Sequence, residues 1–183
     1  MAVVTRELDD LVELSDFAWE RLRNRLAGLT EEEYRWEPVA DCWTVRPSGD
    51  GTFMADGRAS TYRSDGEPDP FTTLPWRLHH ITHVLGIPRN ARWLDRPDPR
   101  AVTEPAGTAA DALARLADAY AAWRTVLTGV SAEVLERPMG NVARPYEKST
   151  GRAFVLHVLD ELIHHAAEVA LLRDLYAARE TSM

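Results

Sequence analysis

The sequence predicts an all-α protein, a four-helix bundle. Four stretches carry apolar or small residues at three- and four-residue steps, the spacing of a core-facing helical stripe. They open at capping residues or close at glycine or proline. Helix-breaking prolines and glycines collect between them. At 183 residues the chain is read as one domain, 1–183, and its core needs no disulfide staples.

The first helix is predicted over residues 5 to 27. Thr5 can cap it, and Leu8, Leu11, Ser15, Ala18, Leu22 and Leu26 form its inward stripe. Gly28 ends it. Thr30-Glu-Glu-Glu33 has capping-box form and opens a short turn. Residues 36 to 71 hold four prolines (38, 47, 68, 70) and four glycines (49, 51, 57, 66), which excludes a long helix there. Within this insertion, Thr52-Phe-Met and Ala59-Ser-Thr-Tyr can pair as a hairpin across Asp56-Gly57. A loop this long inside a compact domain is more often functional than idle.

The second helix starts at Thr72 or Thr73, with Pro75 in its first turn, and stops near Gly86 ahead of Pro88. Residues 89 to 94 add a further turn. A proline-rich connection, 95 to 107, leads to Thr108, which caps a third helix over 109 to 128, closed by Gly129. Ser131 to Leu135 make another turn and 140 to 150 a loop. The fourth and longest helix covers 151 to 178.

Composition narrows the function. Hydrophobic residues make up 45% and charged residues 27%, ordinary for a globular domain. A net charge of −8, with Lys148 the sole lysine, argues against a nucleic-acid partner. No apolar run reaches the roughly 20 residues that span a bilayer. The first ten residues place acidic side chains where a secretion signal has its apolar core, and Cys42 is a lone cysteine. Both favour the cytoplasm.

The chemistry is concentrated in histidine. All six fall in two windows: His79, His80 and His83 on the second helix, and His157, His164 and His165 on the fourth. With 100° per residue, His157, Glu161, His164, His165 and Glu168 form one polar stripe about a quarter turn wide. Apolar neighbours on both sides argue that this stripe lines a cavity rather than facing solvent. On the second helix Trp76, His80, His83 and Ile87 share a face opposite Leu74, Leu78, Ile81 and Leu85, so the leucine face enters the core. If the two helices pack together, imidazoles and a carboxylate converge in a set that suits a divalent metal. Two alternatives stand beside this. His79 and His83 form an i, i+4 pair that can build a site within one helix, or the histidines form a buried network that only orients the helices.

Thr-Thr-Leu-Pro-Trp-Arg-Leu-His-His-Ile (72–81) and Glu-Leu-Ile-His-His-Ala-Ala-Glu-Val-Ala-Leu-Leu-Arg-Asp-Leu-Tyr (161–176) resemble the two signature helices of the DinB-like superfamily, most closely its actinobacterial branch. The resemblance implies an up-down-down-up four-helix bundle with a metal between helices. The implied ligands are His80 and His165, with Glu161 standing where the family's His-x3-His pair has its first histidine. Two histidines and one carboxylate suit Zn, Ni or Fe(II). The same departure is also compatible with a degenerate site. His157 and His164 are then candidate catalytic residues or outer supports of the ligands. Related enzymes include thiol S-transferases and mycothiol-dependent maleylpyruvate isomerase. The implied function is therefore a metal-dependent S-transferase or isomerase using a low-molecular-weight thiol such as mycothiol on a small-molecule substrate. The alternative is a non-catalytic small-ligand-binding bundle.

Among other residues, Trp19 and Trp123 are read as core and Trp76 as a pocket wall, while Trp36 and Trp43 flank the insertion and can anchor it. Arg77 and Arg173 are read as partners of Asp or Glu, at the surface or between helices, before carboxylate binders. Tyr146 and Arg144 lie in the loop ahead of the fourth helix, within reach of a bundle-end pocket. The run Leu171 to Tyr176 is read as packing or as the face of a homodimer.

Overall fold

Leu11, Ala18, Leu22 and Leu26 do turn inward, and with them the first of four long helices takes its place. The computed structural model describes residues 2–57 and 70–179. The chain is mostly helical, with one small sheet. In order it forms α1 (Ala2–Leu26), α2 (Glu31–Tyr34), β1 (Val45–Pro47), β2 (Phe53–Ala55), α3 (Leu74–Gly86), α4 (Arg89–Trp93), α5 (Ala109–Thr128), α6 (Ala132–Glu136), a 3-10 turn (Gly140–Ala143) and α7 (Gly151–Arg179). The four long helices are α1, α3, α5 and α7. α3 packs on α5 and α7, and α1 packs on α7 and α5. Among the described residues no helix is long and apolar enough to cross a membrane.

Local chemistry accounts for most helix ends. Thr73 is the N-cap of α3, with Pro75 in the first turn, where a missing N–H leaves nothing unbonded. The Thr108 hydroxyl accepts from Asp111 N at 3.1 Å and starts α5, which ends at Gly129. Ser131 caps α6 in the same way. Thr5 is not a cap. α1 already begins at Ala2, so Thr5 lies inside it.

The Thr30 hydroxyl accepts from Glu33 N at 3.2 Å, one half of the expected capping box. The other half is missing because the Glu33 carboxylate is buried and taken by Arg173, whose Nε and Nη2 donate to it at 2.7 and 2.9 Å. A buried carboxylate needs a charged partner more than it needs a backbone amide. This joins α2 to α7 and gives Arg173 the ion-pairing role expected of it.

The core lies between the long helices. Trp123, Leu78, Leu116 and Leu162 are fully enclosed. Ser15 is polar yet completely buried, because its Oγ accepts the Trp123 indole N–H at 3.2 Å. Trp19 is only partly buried and stacks on Tyr120 with ring centroids 4.5 Å apart.

The hairpin differs from the expected one. Phe53–Ala55 pairs upstream, antiparallel to Val45–Pro47, in the register Val45↔Ala55, Arg46↔Met54 and Pro47↔Phe53. The turn of this pairing is Ser48–Thr52. Asp50 Oδ1 accepts from Ser48 Oγ at 2.6 Å and from Thr52 N at 2.9 Å, while Gly49 and Gly51 supply φ of 86° and 87°. The expected second strand, 59–62, lies outside the described residues. The described part of the insertion is stitched to the start of α3: Trp43 N donates to the Phe71 carbonyl at 2.8 Å and Thr73 N to the Trp43 carbonyl at 3.0 Å. Trp36 meets Tyr176 edge-on at 5.5 Å.

Candidate metal centre

α3 presents two faces. Leu74, Leu78, Ile81 and Leu85 are buried in the core, which turns Trp76 and His80 toward α7. On α7, Val155, Val158, Leu162 and Val169 enter the core, which leaves Glu161, His165 and Glu168 along the seam with α3. The periodicity of both helices therefore fixes the meeting.

At that seam, His80 Nε2 lies 3.1 Å from Glu161 Oε2, and His165 Nε2 lies 3.2 Å from the same oxygen. The His80 and His165 rings meet edge-on with centroids 4.4 Å apart. Spacings slightly above 3 Å suit a hydrogen bond. They also suit adjacent ligand atoms of an ion bound at about 2.0–2.2 Å. The side chains of both histidines are 12% exposed and that of Glu161 is 26% exposed. His80, Glu161 and His165 thus form a group that could hold a metal ion, two neutral nitrogens and one anionic oxygen.

Supporting contacts hold these donors in place. His165 Nδ1 lies 2.5 Å from Glu168 Oε2, and Arg77 Nη1 lies 3.0 Å from both. The guanidinium only donates, and a 2.5 Å contact to an ionised carboxylate needs a proton between the atoms. Nδ1 therefore carries hydrogen toward Glu168, and Arg77 serves Glu168. An ion would then take Nε2, the carboxylate–histidine pattern found behind metal ligands, and without an ion Nε2 carries a proton of its own toward Glu161. His80 is oriented by Trp76, which stacks on it at 5.2 Å with planes 6° apart. Trp76 is pinned in turn by its indole N–H, which donates to the Asp56 carbonyl at 2.8 Å. The stretch before α3 thereby orients His80 through one backbone oxygen. Sequence carries no sign of Asp56, because the acceptor is a backbone carbonyl that every residue has.

The electrostatics follow the contacts. Hydrogen bonds from His165 and His80 hold the Glu161 carboxyl far below its ordinary range, against burial. Burial alone would raise Glu168, but the His165 hydrogen bond and the Arg77 charge outweigh it and keep it ionised. Burial disfavours the charged form of His165, yet its bonds to Glu161 and Glu168 prevail and raise it above its ordinary value.

The remaining histidines fall elsewhere. His157 and His164 do not line an interior cavity, because their side chains are 55% and 60% exposed. Their apolar neighbours Leu156, Ile163 and Leu171 are exposed as well, at 48%, 41% and 59%. α1, α3 and α6 pack on α7, and the side that carries His157 and His164 reaches solvent. His157 Nδ1 stands 4.0 Å from Glu161 Oε1, and His164 Nε2 stands 3.3 Å from Glu168 Oε1. Among the described residues His79 and His83 build no centre of their own. Their ring centroids are 6.1 Å apart, and His79 turns toward Tyr34, Glu104 and Arg115. Burial pushes His79 down to about 4.

Other candidates also find their places. Cys42 is buried beside Glu37, and burial first, then the carboxylate, pushes its thiol up, away from a reactive thiolate. Arg144 pairs with Glu147 at the surface, while Tyr146 approaches Trp93 with centroids 6.2 Å apart. A cleft of about 360 Å³, lined by Trp43, Phe71, Thr72, Trp76, Arg77 and Leu172 among others, opens beside Glu168.

The class defined so far is a mostly helical protein with a His/Glu group between two long helices that could hold a metal ion. The particular family is shown as well: the chain belongs to the DinB superfamily, whose family model matches residues 15–169. No curated protein and no solved structure matches the chain.

Proposed function

We propose that this chain is a metal-dependent DinB-superfamily enzyme acting on a small molecule, with thiol-dependent S-transfer or isomerisation as its reaction. The packing of α1, α3, α5 and α7, each against two others, supports the family's up-down-down-up bundle as the frame. The observation that carries the functional reading is the meeting of His80 Nε2, Glu161 Oε2 and His165 Nε2 at one point. These three residues fit Zn, Ni or Fe(II) in donor type and spacing. A bound divalent ion would supply Lewis acidity, lowering the pKa of a thiol or water or polarising a carbonyl.

The chain's own groups do the rest. Glu168 and Arg77 fix His165 in one tautomer, and Trp76 fixes the plane of His80. His157, 4.0 Å from Glu161 and open to solvent, is the candidate for carrying a proton between the centre and water. His164 braces Glu168 from outside. The cleft beside Glu168 falls within the range of small-molecule sites, about 300–1,000 Å³. A thiol such as mycothiol is the expected co-reactant.

One observation favours a second reading. The same side chains satisfy one another, from His80 through Glu161, His165 and Glu168 to Arg77, so the network also holds the helices with no ion. Metal content decides between them. Purified protein, assayed by mass spectrometry before and after chelation, is expected to carry an ion in stoichiometric amount that His80→Ala and His165→Ala both lose. Metal-free protein that ignores added zinc and nickel would establish the structural network instead. A screen of thiol donors then tests the reaction class, and failure of every donor removes the transferase claim.

A further inference from the structure

Arg89 is exceptional among the half-buried arginines. Arg77 has Glu168, Arg152 has Glu7, Arg173 has Glu33, and Arg115 donates to the carbonyls of Glu104 and Pro105. Among the described residues Arg89 meets no carboxylate or carbonyl, although Asp and Glu number 29 in the chain. Its Nε is closed off from solvent and has no hydrogen-bond partner. The guanidinium instead lies over two aromatic rings, 5.2 Å from the Trp93 centroid and 5.8 Å from that of Phe154. Ring faces offset part of the cost of burying a cation, but they leave its in-plane N–H groups unbonded. Trp93, one turn further along α4, adds a second orphan: its indole Nε1 is also buried without a partner. Two N–H donors one turn apart on α4, one of them charged, thus have no acceptor from the chain, and an oxyanion is the chemistry that supplies one.

The position is the centre's own flank. His165 directs Nδ1 toward Glu168 and Nε2 toward Glu161, so the donor atoms gather on the side where α7 runs back through His157 to Phe154. Arg89 stands at that end. The Glu161 carboxylate acts on it, Tyr146 approaches Trp93 with ring centroids 6.2 Å apart, and the charges of His80 and Arg89 both act on His83.

We propose that Arg89 and Trp93 anchor an oxyanion, a carboxylate or a phosphate, on the small molecule handled at His80, Glu161 and His165. The proposal rests on reading that centre as the functional site. Malonate and inorganic phosphate serve as probes, with chloride as control at constant ionic strength, on the full chain in zinc-treated and metal-free forms. The Arg89 Nε–H and Trp93 Nε1–H resonances are followed in ¹H–¹⁵N spectra. Saturable shifts with malonate alone identify a carboxylate site, and with phosphate alone a phosphate site. Arg89→Gln is expected to weaken binding about tenfold or more, since it removes a charged donor pair, with metal content unchanged. Trp93→Phe keeps the ring, removes only the N–H and is expected to weaken binding about threefold or more, so it supplies a folded comparison if Arg89→Gln is unstable. Shifts that are absent, that chloride reproduces, or that keep full affinity in both variants would make Arg89 a packing strut and end the proposal. The two readings fail separately. Oxyanion binding at Arg89 without zinc uptake removes the metal centre and keeps the anchor, whereas zinc uptake without oxyanion binding does the reverse.

Discussion

Glu161→Gln is the sharpest probe of the centre, because one oxygen of Glu161 serves both histidines. Oε2 lies 3.1 Å from His80 Nε2 and 3.2 Å from His165 Nε2. Glutamine keeps the shape and one oxygen but loses the charge that makes this oxygen a ligand. Zinc at one hundred times its dissociation constant stabilises a folded protein by about 2.7 kcal/mol. For a chain of this size that is a rise in Tm of roughly 5–11 °C. Losing a group that only supports a ligand costs about 10–100-fold in affinity, so losing a ligand costs at least the upper figure. At the same zinc concentration the variant then gains about 0.4 kcal/mol, a rise of only about 1–2 °C. Calorimetric melts with and without zinc, each variant against its own metal-free baseline, measure both. An equal rise in Glu161→Gln, with equal zinc content, would show that the ion binds elsewhere and refute the assignment.

Three further outcomes are expected. Glu168→Gln leaves His165 Nδ1 with a weaker acceptor, so zinc affinity falls about 10–100-fold by competition titration while His80 and Glu161 stay in place. Thr108→Ala removes the hydroxyl that starts α5 and costs about 1 kcal/mol in urea unfolding, with an unchanged m value. Asp16 reports on acid stability: the Arg124 hydrogen bond, aided by the Tyr120 hydroxyl at 2.5 Å, holds its carboxyl below the ordinary 3.8. A depressed folded pKa gives stability that is present above 3.8 and is lost as pH falls below it, so Asp16→Asn should flatten the drop in Tm between about pH 4 and pH 2.

Much of the fold was legible in the sequence because its signals are local. Thr108 and Gly129 bracket α5, and Thr73, Pro75 and Gly86 bracket α3. Pairing in the insertion was not legible. The Ser48–Thr52 turn depends on Asp50, whose side chain organises it through three donors, a tertiary detail that the many turn residues of this stretch do not single out. The site was half legible for the same kind of reason. Helical spacing places His80, Glu161 and His165 on facing seams, and the leucine face of α3 says which way His80 must turn. Exposure of His157 and His164 was hidden, since apolar residues beside a stripe show that a helix packs but not how far its neighbours reach around it.

The carboxylate at position 161 also changes what removal of an ion should do. Three histidines at one point would bring no negative charge and would repel when protonated. Glu161 instead accepts from both imidazoles, Glu168 takes His165 from behind, and Arg77 closes the chain. The metal-free centre is therefore already bonded, unlike small zinc domains whose folding depends on the ion. The core around Trp123, Leu78 and Leu162 is enclosed by apolar packing of its own. Chelation is expected to lower Tm by the several degrees that zinc contributes and to leave the far-ultraviolet circular dichroism of the helices unchanged at 25 °C. Loss of helical signal on chelation would mean that the ion, and not the Glu161 network, holds α3 against α7.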